Sequence, residues 1–409
     1  MDPTAVPTIQ LNLVQTLGVG AFMYAIGVAL RARIQFFNRL NIPSAVLGGL
    51  LFALTVLICH DRLLNVTLDL TAQPLFMITF FTTIGMGASL PLLKKGGPQV
   101  LTFLAIAAAF CFLQNFLGMG IGQLFGAHPL LGVMAGSVTL VGGPATGLAF
   151  APLFEQAGLQ GAAAVAIASA TFGITLGGLV AGPVGTWVIE RHKLRGRGEH
   201  NGDTRAPEDE PSAPDLLAPE SGREISLMIV NLLVIGMVMG LGSVVSLGIE
   251  SLGITLPAYI GAMIVAAVIR NVNDRTRWFG LDEKAMDFIG DVSLNVFLVV
   301  ALMSLRLWEL AAIALPLLAI LVGQVGLTVV GSALLIYRLM GRDYDAAVMS
   351  TGFVGFVLGT TANSLVNMRA LVQHYGPAPR AFLVVPLVGA LFIDFVNALI
   401  ITLFLNWLT

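Results

Sequence analysis

The chain has 409 residues, of which 56% are hydrophobic and only 11% are charged. An ordinary soluble domain carries about 25% charged residues, so this composition indicates a protein embedded in lipid. The formal net charge is -2, and no basic block is interleaved with aromatic residues, which gives nucleic-acid binding no support.

Apolar segments long enough to cross a bilayer, about 20 residues, recur along the chain in two groups of five. These predicted spans lie at 9–31, 42–60, 71–93, 98–125 and 160–190, and at 225–250, 256–271, 285–308, 311–339 and 378–407. Two further apolar segments, 129–150 and 345–366, are rich in Gly and Thr and do not resemble uninterrupted helices. The sequence therefore predicts an all-α integral membrane protein with about ten transmembrane helices.

A hydrophilic stretch rich in Pro, Gly and charged residues separates the two groups. Such a composition cannot bury a core, which predicts an N-terminal five-helix repeat at 1–190, a cytoplasmic linker at 191–224 and a C-terminal five-helix repeat at 225–409. Sliding one half over the other pairs IPSAVLGGLLFAL, from Ile42, with LPAYIGAMIVAAV, from Leu256. The pairing supports an internal repeat, although apolar helices can match in this way by chance.

The positions of the basic residues indicate how the two halves are oriented. Lys and Arg collect in cytoplasmic loops of membrane proteins, and five spans per half would turn the second half upside down. With the N-terminus outside, all of the 21 Lys and Arg residues except Arg62 and Arg306 fall in predicted inside loops. We therefore predict an inverted repeat with both termini on the outer, periplasmic side.

The two Gly-rich segments are the predicted binding site. Interrupted segments at matching positions of inverted repeats are typical of transporters whose site lies near the bilayer midplane, and irregular backbone at that depth predicts re-entrant loops. Half-helix N-termini there would offer N–H groups to anionic oxygens. The candidate substrate-binding residues are Ser137, Thr139, Gly142, Gly143 and Thr146 in the first loop, and Gly359, Thr360, Thr361, Asn363 and Ser364 in the second. Each could alternatively be an ordinary packing residue of a membrane helix.

Asp394 is a carboxylate in the middle of a predicted span, with no Lys or Arg near it in the same helix. An ionisable group at that depth indicates a functional site. Asn397 shares its helical face, Asn367 follows the second loop by one turn, and carboxylate and amide oxygens suit a hard cation such as sodium. We predict Asp394, Asn397 and Asn367 as metal ligands. The alternative is an aspartate that is hydrogen-bonded to a neighbouring helix or lies closer to the interface.

Polar residues inside other predicted spans are interpreted as helix-to-helix hydrogen-bonding residues. These residues are Gln114, Asn115, Asn295 and Gln324. The run from Gly173 to Gly182 spaces small residues four apart, which lets another helix approach closely. We interpret it as a packing surface, although a surface that slides against a moving loop would use the same residues.

The signatures of common enzyme classes are absent from the sequence. It contains no His-Glu-x-x-His, no Walker A loop and no Gly-x-Ser-x-Gly. We therefore predict that the protein is not an enzyme, and that an ion gradient supplies the energy for uphill transport.

Four stretches, taken together and in order, resemble the sodium/glutamate symporter family. They are VMAGSVTLVGGPATG from Val133, SLNVFLVVALMSLRLWELAAIALPLLAIL from Ser293, GRDYDAAVM from Gly341 and GPAPRAFLVVPLVGALFIDFVNALI from Gly376. The resemblance covers essentially the whole chain. It implies two inverted five-helix domains with re-entrant loops, uptake of L-glutamate with Na+ as the coupling ion, a homodimer and a place in the bacterial inner membrane. It further suggests an elevator-type movement of a substrate-carrying part against a dimerising scaffold.

The sequence departs from the family pattern in both loops. Family members usually have Gly-Gly-His-Gly-Thr-Gly in the first loop, where this chain has GGPATG with Pro144 and Ala145. The second loop usually contains Gly-Ala-Thr-Pro-Thr-Ala, where this chain has GTTANS. The resemblance transfers a site role to Gly142, Gly143, Thr146, Gly147, Gly359 and Thr361.

Sodium-coupled glutamate symport is the leading hypothesis for function. The near alternative is a sodium- or proton-coupled transporter of another small organic anion or amino acid, because the departures fall in the loops. A channel would differ in being unable to concentrate its solute. For an intramembrane enzyme, the sequence offers no pair of nucleophile and base.

Overall fold

The computed structural model describes residues 6–39, 42–60, 62–95, 97–194, 222–251, 257–308 and 313–409. Residues 195–221, which form most of the predicted linker, lie outside the described residues. The described chain is almost entirely helical, as the sequence predicts.

Helices make up nearly all of the described elements in both halves of the chain. In the first half the elements are β1 Thr8–Leu11, α1 Leu13–Arg33, α2 Gln35–Arg39, α3 Ser44–Cys59, β2 Asn65–Leu68, α4 Gln73–Gly87, α5 Leu90–Lys95, α6 Gly97–Leu124, α7 Pro129–Val133, α8 Gly143–Gln156 and α9 Ala162–Arg191. In the second half they are α10 Gly222–Glu250, α11 Ala258–Thr276, α12 Glu283–Met303, α13 Ala314–Gly331, α14 Tyr337–Leu339, α15 Tyr344–Val357, α16 Thr361–Tyr375, α17 Pro379–Leu387 and α18 Ile393–Leu408. π-helical turns lie at Met134–Val138, Ser332–Ile336 and Val388–Phe392.

Seven helices of the described chain are long and apolar enough to cross a membrane. They are Leu13–Arg33, Gly97–Leu124, Ala162–Arg191, Leu227–Glu250, Glu283–Met303, Ala314–Leu339 and Pro379–Leu408. The predicted spans at 42–60 and 71–93 contain α3 and α4, of 16 and 15 residues, and the predicted span at 256–271 overlaps the 19-residue α11, which continues to Thr276. The protein is thus a multi-pass membrane protein, and the predicted number of ten spans stays a prediction.

A short parallel β-pair departs from the predicted all-α fold. β1 pairs with β2 from Thr8 opposite Asn65 to Leu11 opposite Leu68. The first helix therefore begins at Leu13 rather than at residue 9, because the Asn12 side chain caps it by accepting the Gln15 N–H at 2.9 Å. Three of the four residues of β1 are apolar or β-branched, and only Asn12 separates the strand from the helix, so hydrophobicity alone did not separate the two elements.

Contacts between helices divide the described chain into two groups, and each group draws on both halves of the sequence. The scaffold group contains α1, α3, α4, α10, α11 and α12, and the core group contains α6 to α9 and α13 to α18. The groups meet where α8 contacts α12 and where α18 contacts α4. Glycines allow close helix approach in both groups: a Cβ on Gly85 would lie 2.4 Å from the carbonyl oxygen of Met263, and one on Gly118 2.2 Å from that of Gly132.

The turn between α4 and α5, which leads from the scaffold group to the core group, is fastened to α11. The Ser89 hydroxyl donates to Asp274 at 2.6 Å. Asn271 binds the turn from both sides, since its amide donates to the Ala88 carbonyl and its oxygen accepts the Leu90 N–H, each at 2.8 Å. The connection therefore belongs to the scaffold group as far as Leu90.

Candidate functional site

The first Gly-rich segment folds into a broken helical hairpin, the first hairpin, in which α7 and its π-helical turn run into residues 139–142 and then into α8. The backbone leaves helical geometry at Gly136, with φ -101° and ψ -130°. Gly143, the first residue of α8, has φ +68°, a left-handed conformation that favours glycine. Gly142 is half-buried and lies under the Thr146 side chain, whose Cβ would be 2.5 Å from a Cβ at Gly142.

Ser137 fixes the tip of the first hairpin between α6 and α18. Its backbone N–H donates to Oδ1 of Asn115 at 2.9 Å, and its carbonyl accepts from Nδ2 of Asn397 at 2.8 Å. Among the described residues, Ser137 Oγ and Asn397 Oδ1 are buried and have no hydrogen-bond partner. The structure thus brings a predicted substrate residue and a predicted metal ligand together, with two unused oxygens.

Two predicted site residues of the first hairpin have packing roles. The Thr139 hydroxyl donates to the Met134 carbonyl of its own hairpin at 2.7 Å. A Cβ on Gly147 would lie 2.8 Å from the Cβ of Ala166 on α9, so glycine is needed for the contact between α8 and α9. For these two residues the contacts agree with the alternative stated above, in which they are ordinary packing residues of membrane helices.

The second Gly-rich segment folds into a second hairpin, made of α15, residues 358–360 and α16. Thr360 caps α16, because its Oγ1 accepts the Asn363 N–H at 3.2 Å. The first N–H groups of a helix have no partner within it, and here they belong to Thr361, which is half-buried, and Ala362, which is exposed. This helix start is an accessible set of donors for an anionic group.

The remaining predicted residues of the second hairpin hold it together and against α9. Asn363 donates to the Ile174 carbonyl at 2.9 Å, and Ser364 donates to the Gly352 carbonyl at 2.7 Å. Asn367 donates to the Asn363 carbonyl at 2.9 Å. A Cβ on Gly359 would lie 3.1 Å from the Cα of Ile174, so Gly359 permits this close contact.

The tips of the two hairpins meet at Gly173 of α9. A Cβ there would lie 2.3 Å from the Leu358 carbonyl oxygen of the second tip and 2.6 Å from Cδ2 of Leu140 in the first. The small residues of α9 are therefore a packing surface for both hairpins. On α6, Asn115 binds the first tip, and the neighbouring Gln114 donates to the Val357 carbonyl of the second at 3.4 Å.

Asp394 lies in the first turn of α18, directly after the π-helical turn Val388–Phe392. It is half-buried, and its carboxylate makes no hydrogen bond or ion pair with another described residue. Asn397 follows it by three residues, whereas no hydrogen bond within the described chain joins Asn367 to either of them. The described residues also contain no group of three or more His, Cys, Asp or Glu side chains that could together hold a metal ion. A cation at Asp394 would therefore be completed by amide, hydroxyl and carbonyl oxygens.

A cleft of about 470 Å³ separates the core and scaffold groups at one end of α8. Polar and charged side chains of both groups line it, among them Gln73, Glu155 and Arg306, and Leu148 and Ala301 face it as well. The cleft is not predictable from the sequence, because its lining comes from separate parts of the chain. Arg306 is one of the two basic residues predicted to lie outside.

Comparisons with known proteins agree on one family. A family model described as "Sodium/glutamate symporter" matches residues 9–377. The chain is 37% identical over 399 residues to a sodium/glutamate symporter of Escherichia coli strain K12, a match that covers 97% of this chain and 98% of the relative. It is also 37% identical over 386 residues to a sodium/glutamate symporter of Haemophilus influenzae, covering 94% and 95%.

Proposed function

Because the chain belongs to the sodium/glutamate symporter family, we propose that it takes up L-glutamate together with Na+ across the bacterial inner membrane. The names of its relatives support glutamate as substrate and sodium as coupling ion. The observation that carries the proposal is the convergence of the two hairpin tips, one of which is held by Asn397, three residues from the unpaired carboxylate of Asp394. This function is that of a transporter and not of an enzyme.

The start of α16 is the proposed binding site for a substrate carboxylate. Thr361 and Ala362 contribute N–H groups that the helix leaves free, and the helix dipole adds a partial positive charge. The Thr361 hydroxyl lies close to Gly389. A Cβ added to Gly389 would be 3.0 Å from Oγ1 of Thr361. The site therefore lies against the interrupted helix that continues into α18 and Asp394.

The proposed sodium site combines Asp394, the free Oδ1 of Asn397 and Oγ of Ser137. Carboxylate, amide and hydroxyl oxygens are the ligands that a hard cation prefers. Because Asn397 also holds the Ser137 carbonyl, sodium binding would stabilise the position of the first tip. Sodium binding and substrate binding would then be coupled, because the substrate would bind to a site in which sodium has already ordered the first tip. Asn367 lies against α9, where a Cβ on Gly182 would be 3.5 Å from its Oδ1, and it is less suited as a ligand.

We further propose ten spans in two inverted repeats, with the hairpins as re-entrant loops and both termini in the periplasm. The common order of elements supports the repeat, because α1, α3 and α4 precede α6 and its hairpin as α10, α11 and α12 precede α13 and its hairpin. The distribution of Lys and Arg supports the orientation.

An elevator-type movement of the core group against the scaffold group completes the proposal, with the scaffold groups of two copies forming a homodimer. The core group carries both hairpins and Asp394, and its contacts with the scaffold group include those of α8 with α12 and of α18 with α4. The cleft at α8 lies between the two groups. A rigid-body shift there could expose the site to either side in turn.

A crosslink between the groups should stop transport if the core group moves. A Cβ on Gly87 of the scaffold would lie 3.1 Å from Cδ2 of Leu391 in the core. We expect Gly87→Cys with Leu391→Cys, joined by a short thiol crosslinker in a background without native cysteines, to lose uptake and regain it on reduction. A crosslink within the scaffold, between Gly20→Cys and Val299→Cys, is the matched control and should leave uptake unchanged. Full uptake by the crosslinked Gly87–Leu391 variant would contradict the movement.

Gradient-driven uptake into proteoliposomes tests the proposed function. Labelled L-glutamate should accumulate when an inward sodium gradient is imposed and not when a proton gradient replaces it. Unlabelled L-glutamate should compete, whereas glutamine and citrate should not. Accumulation driven by the proton gradient alone, or inhibition by citrate but not by glutamate, would support the alternative of another coupling ion or another organic anion.

A further inference from the structure

Two buried glutamines lie where α6 and α13 cross in antiparallel orientation. A Cβ on Gly331 would lie 2.6 Å from the Phe110 ring, and one on Gly122 would lie 3.6 Å from Cδ1 of Ile320. Gln114 and Gln324 lie between these two contacts, one on each helix, and both are fully buried. The crossing is therefore in the interior of the core group, away from lipid.

The carboxamide nitrogens of both glutamines are used, and their oxygens are not. Nε2 of Gln324 donates to the Gln114 carbonyl at 2.7 Å, and Nε2 of Gln114 donates to the Val357 carbonyl at 3.4 Å. Reversing either carboxamide would place its oxygen against another carbonyl oxygen, so these contacts fix the orientation of each group. Both Oε1 atoms are buried without a hydrogen-bond partner among the described residues.

A buried carbonyl without a hydrogen-bond partner loses its hydration with nothing in return, so two of them at one crossing indicate a site for a ligand. The partner of the Gln114 carboxamide, Val357, is the last residue of α15. The last carbonyls of a helix lack partners within it, and the helix dipole makes this end partially negative. The crossing thus presents acceptor oxygens in a negative potential, which suits a cation and not an anion.

We propose that Gln114 Oε1, Gln324 Oε1 and the terminal carbonyls of α15 bind a second Na+, separate from the sodium at Asp394. The proposal rests on sodium-coupled symport and specifies its stoichiometry. Glutamate carries one net negative charge, so a single Na+ gives a neutral transport step and two Na+ move one positive charge. Because Val357 ends the first helix of the second hairpin, the second sodium would stabilise the tip that precedes the anion-binding start of α16.

Gln324→Met tests the second site, because methionine keeps the length of the side chain and removes the oxygen. In proteoliposomes loaded with neither solute, simultaneous uptake of ²²Na+ and labelled glutamate should give two sodium ions per glutamate for the unaltered protein and one for Gln324→Met. Thr328→Val, which removes a hydroxyl bonded to its own helix one turn away, is the control and should also retain two.

Equilibrium ²²Na+ binding to the purified protein covers the case in which a variant no longer transports. Gln324→Met should bind one sodium fewer per chain than the unaltered protein, while eluting as the same species in size-exclusion chromatography. Unchanged sodium binding by Gln324→Met would mean that water alone occupies the crossing, and the second site would be wrong. A transport ratio of one for the unaltered protein would also overturn it. Loss of the proposed function is distinguishable, because it would be an absence of sodium-dependent glutamate uptake by the unaltered protein.

Discussion

Asp394→Asn should lower sodium-driven glutamate uptake by about 100-fold or more, while leaving membrane insertion and thermal stability unchanged. Residues that only support a metal ligand already change metal affinity by about 10–100-fold, and this change removes a charged ligand itself. The carboxylate has no protein partner among the described residues, so folding loses no hydrogen bond or ion pair. Initial uptake rates into proteoliposomes across a range of sodium concentrations measure the effect.

Asp291→Asn is the matched control for this variant. Asp291 also lies in an apolar helix, but it is exposed and belongs to α12 of the scaffold group. Its replacement should leave both the uptake rate and its sodium dependence unchanged. Normal sodium dependence of uptake by Asp394→Asn would show that Asp394 is not a sodium ligand. It would favour the alternative in which the aspartate is hydrogen-bonded to a neighbouring helix or lies closer to the interface.

Gly173→Ala should have the second large effect, because both hairpin tips contact this residue. The added Cβ would lie 2.3 Å from the backbone oxygen of Leu358, and backbone cannot move aside as easily as the end of a side chain. Overpacking of this kind costs about 1–3 kcal/mol, and each 1.4 kcal/mol is a factor of about ten. We therefore expect the apparent glutamate affinity to fall by between about fivefold and about 100-fold.

The control for Gly173→Ala is the same substitution at Gly178, on the same helix. The nearest atom to a Cβ at Gly178, Nδ2 of Asn363, would be 3.9 Å away, an ordinary van der Waals distance. Gly178→Ala should therefore transport normally. Equal glutamate affinity in the two variants, measured by competition uptake, would show that the convergence of the tips at Gly173 has no role in binding.

The helical elements were predictable because each depends on a local pattern of apolar residues. The apolar length of 98–125 predicts α6, and the Gly-rich composition of 129–150 predicts an interrupted element there. The β-pair was missed, because four residues at 8–11 and four at 65–68 carry no period that distinguishes a strand from an apolar helix start.

Contacts distant in sequence could not be predicted in the same way. Gln114 and Asn115 were recognisable as polar residues inside a span, but not as the residues that hold the two hairpin tips, because nothing in α6 identifies its partners 22 and 243 residues away. The division into scaffold and core groups was also hidden, since each group combines helices from both halves. The site roles of Asp394 and of the hairpin residues stay predictions.

Counterflow tests sodium-coupled glutamate transport most directly. Proteoliposomes loaded with unlabelled glutamate, with equal sodium on both sides, are diluted into a trace of labelled glutamate. We predict a transient accumulation of label above its equilibrium level, which disappears when potassium replaces sodium on both sides. Label that only equilibrates would contradict the account, because it would indicate a passive pore. Label that accumulates equally without sodium would also contradict it, because sodium would then not be part of the translocated complex.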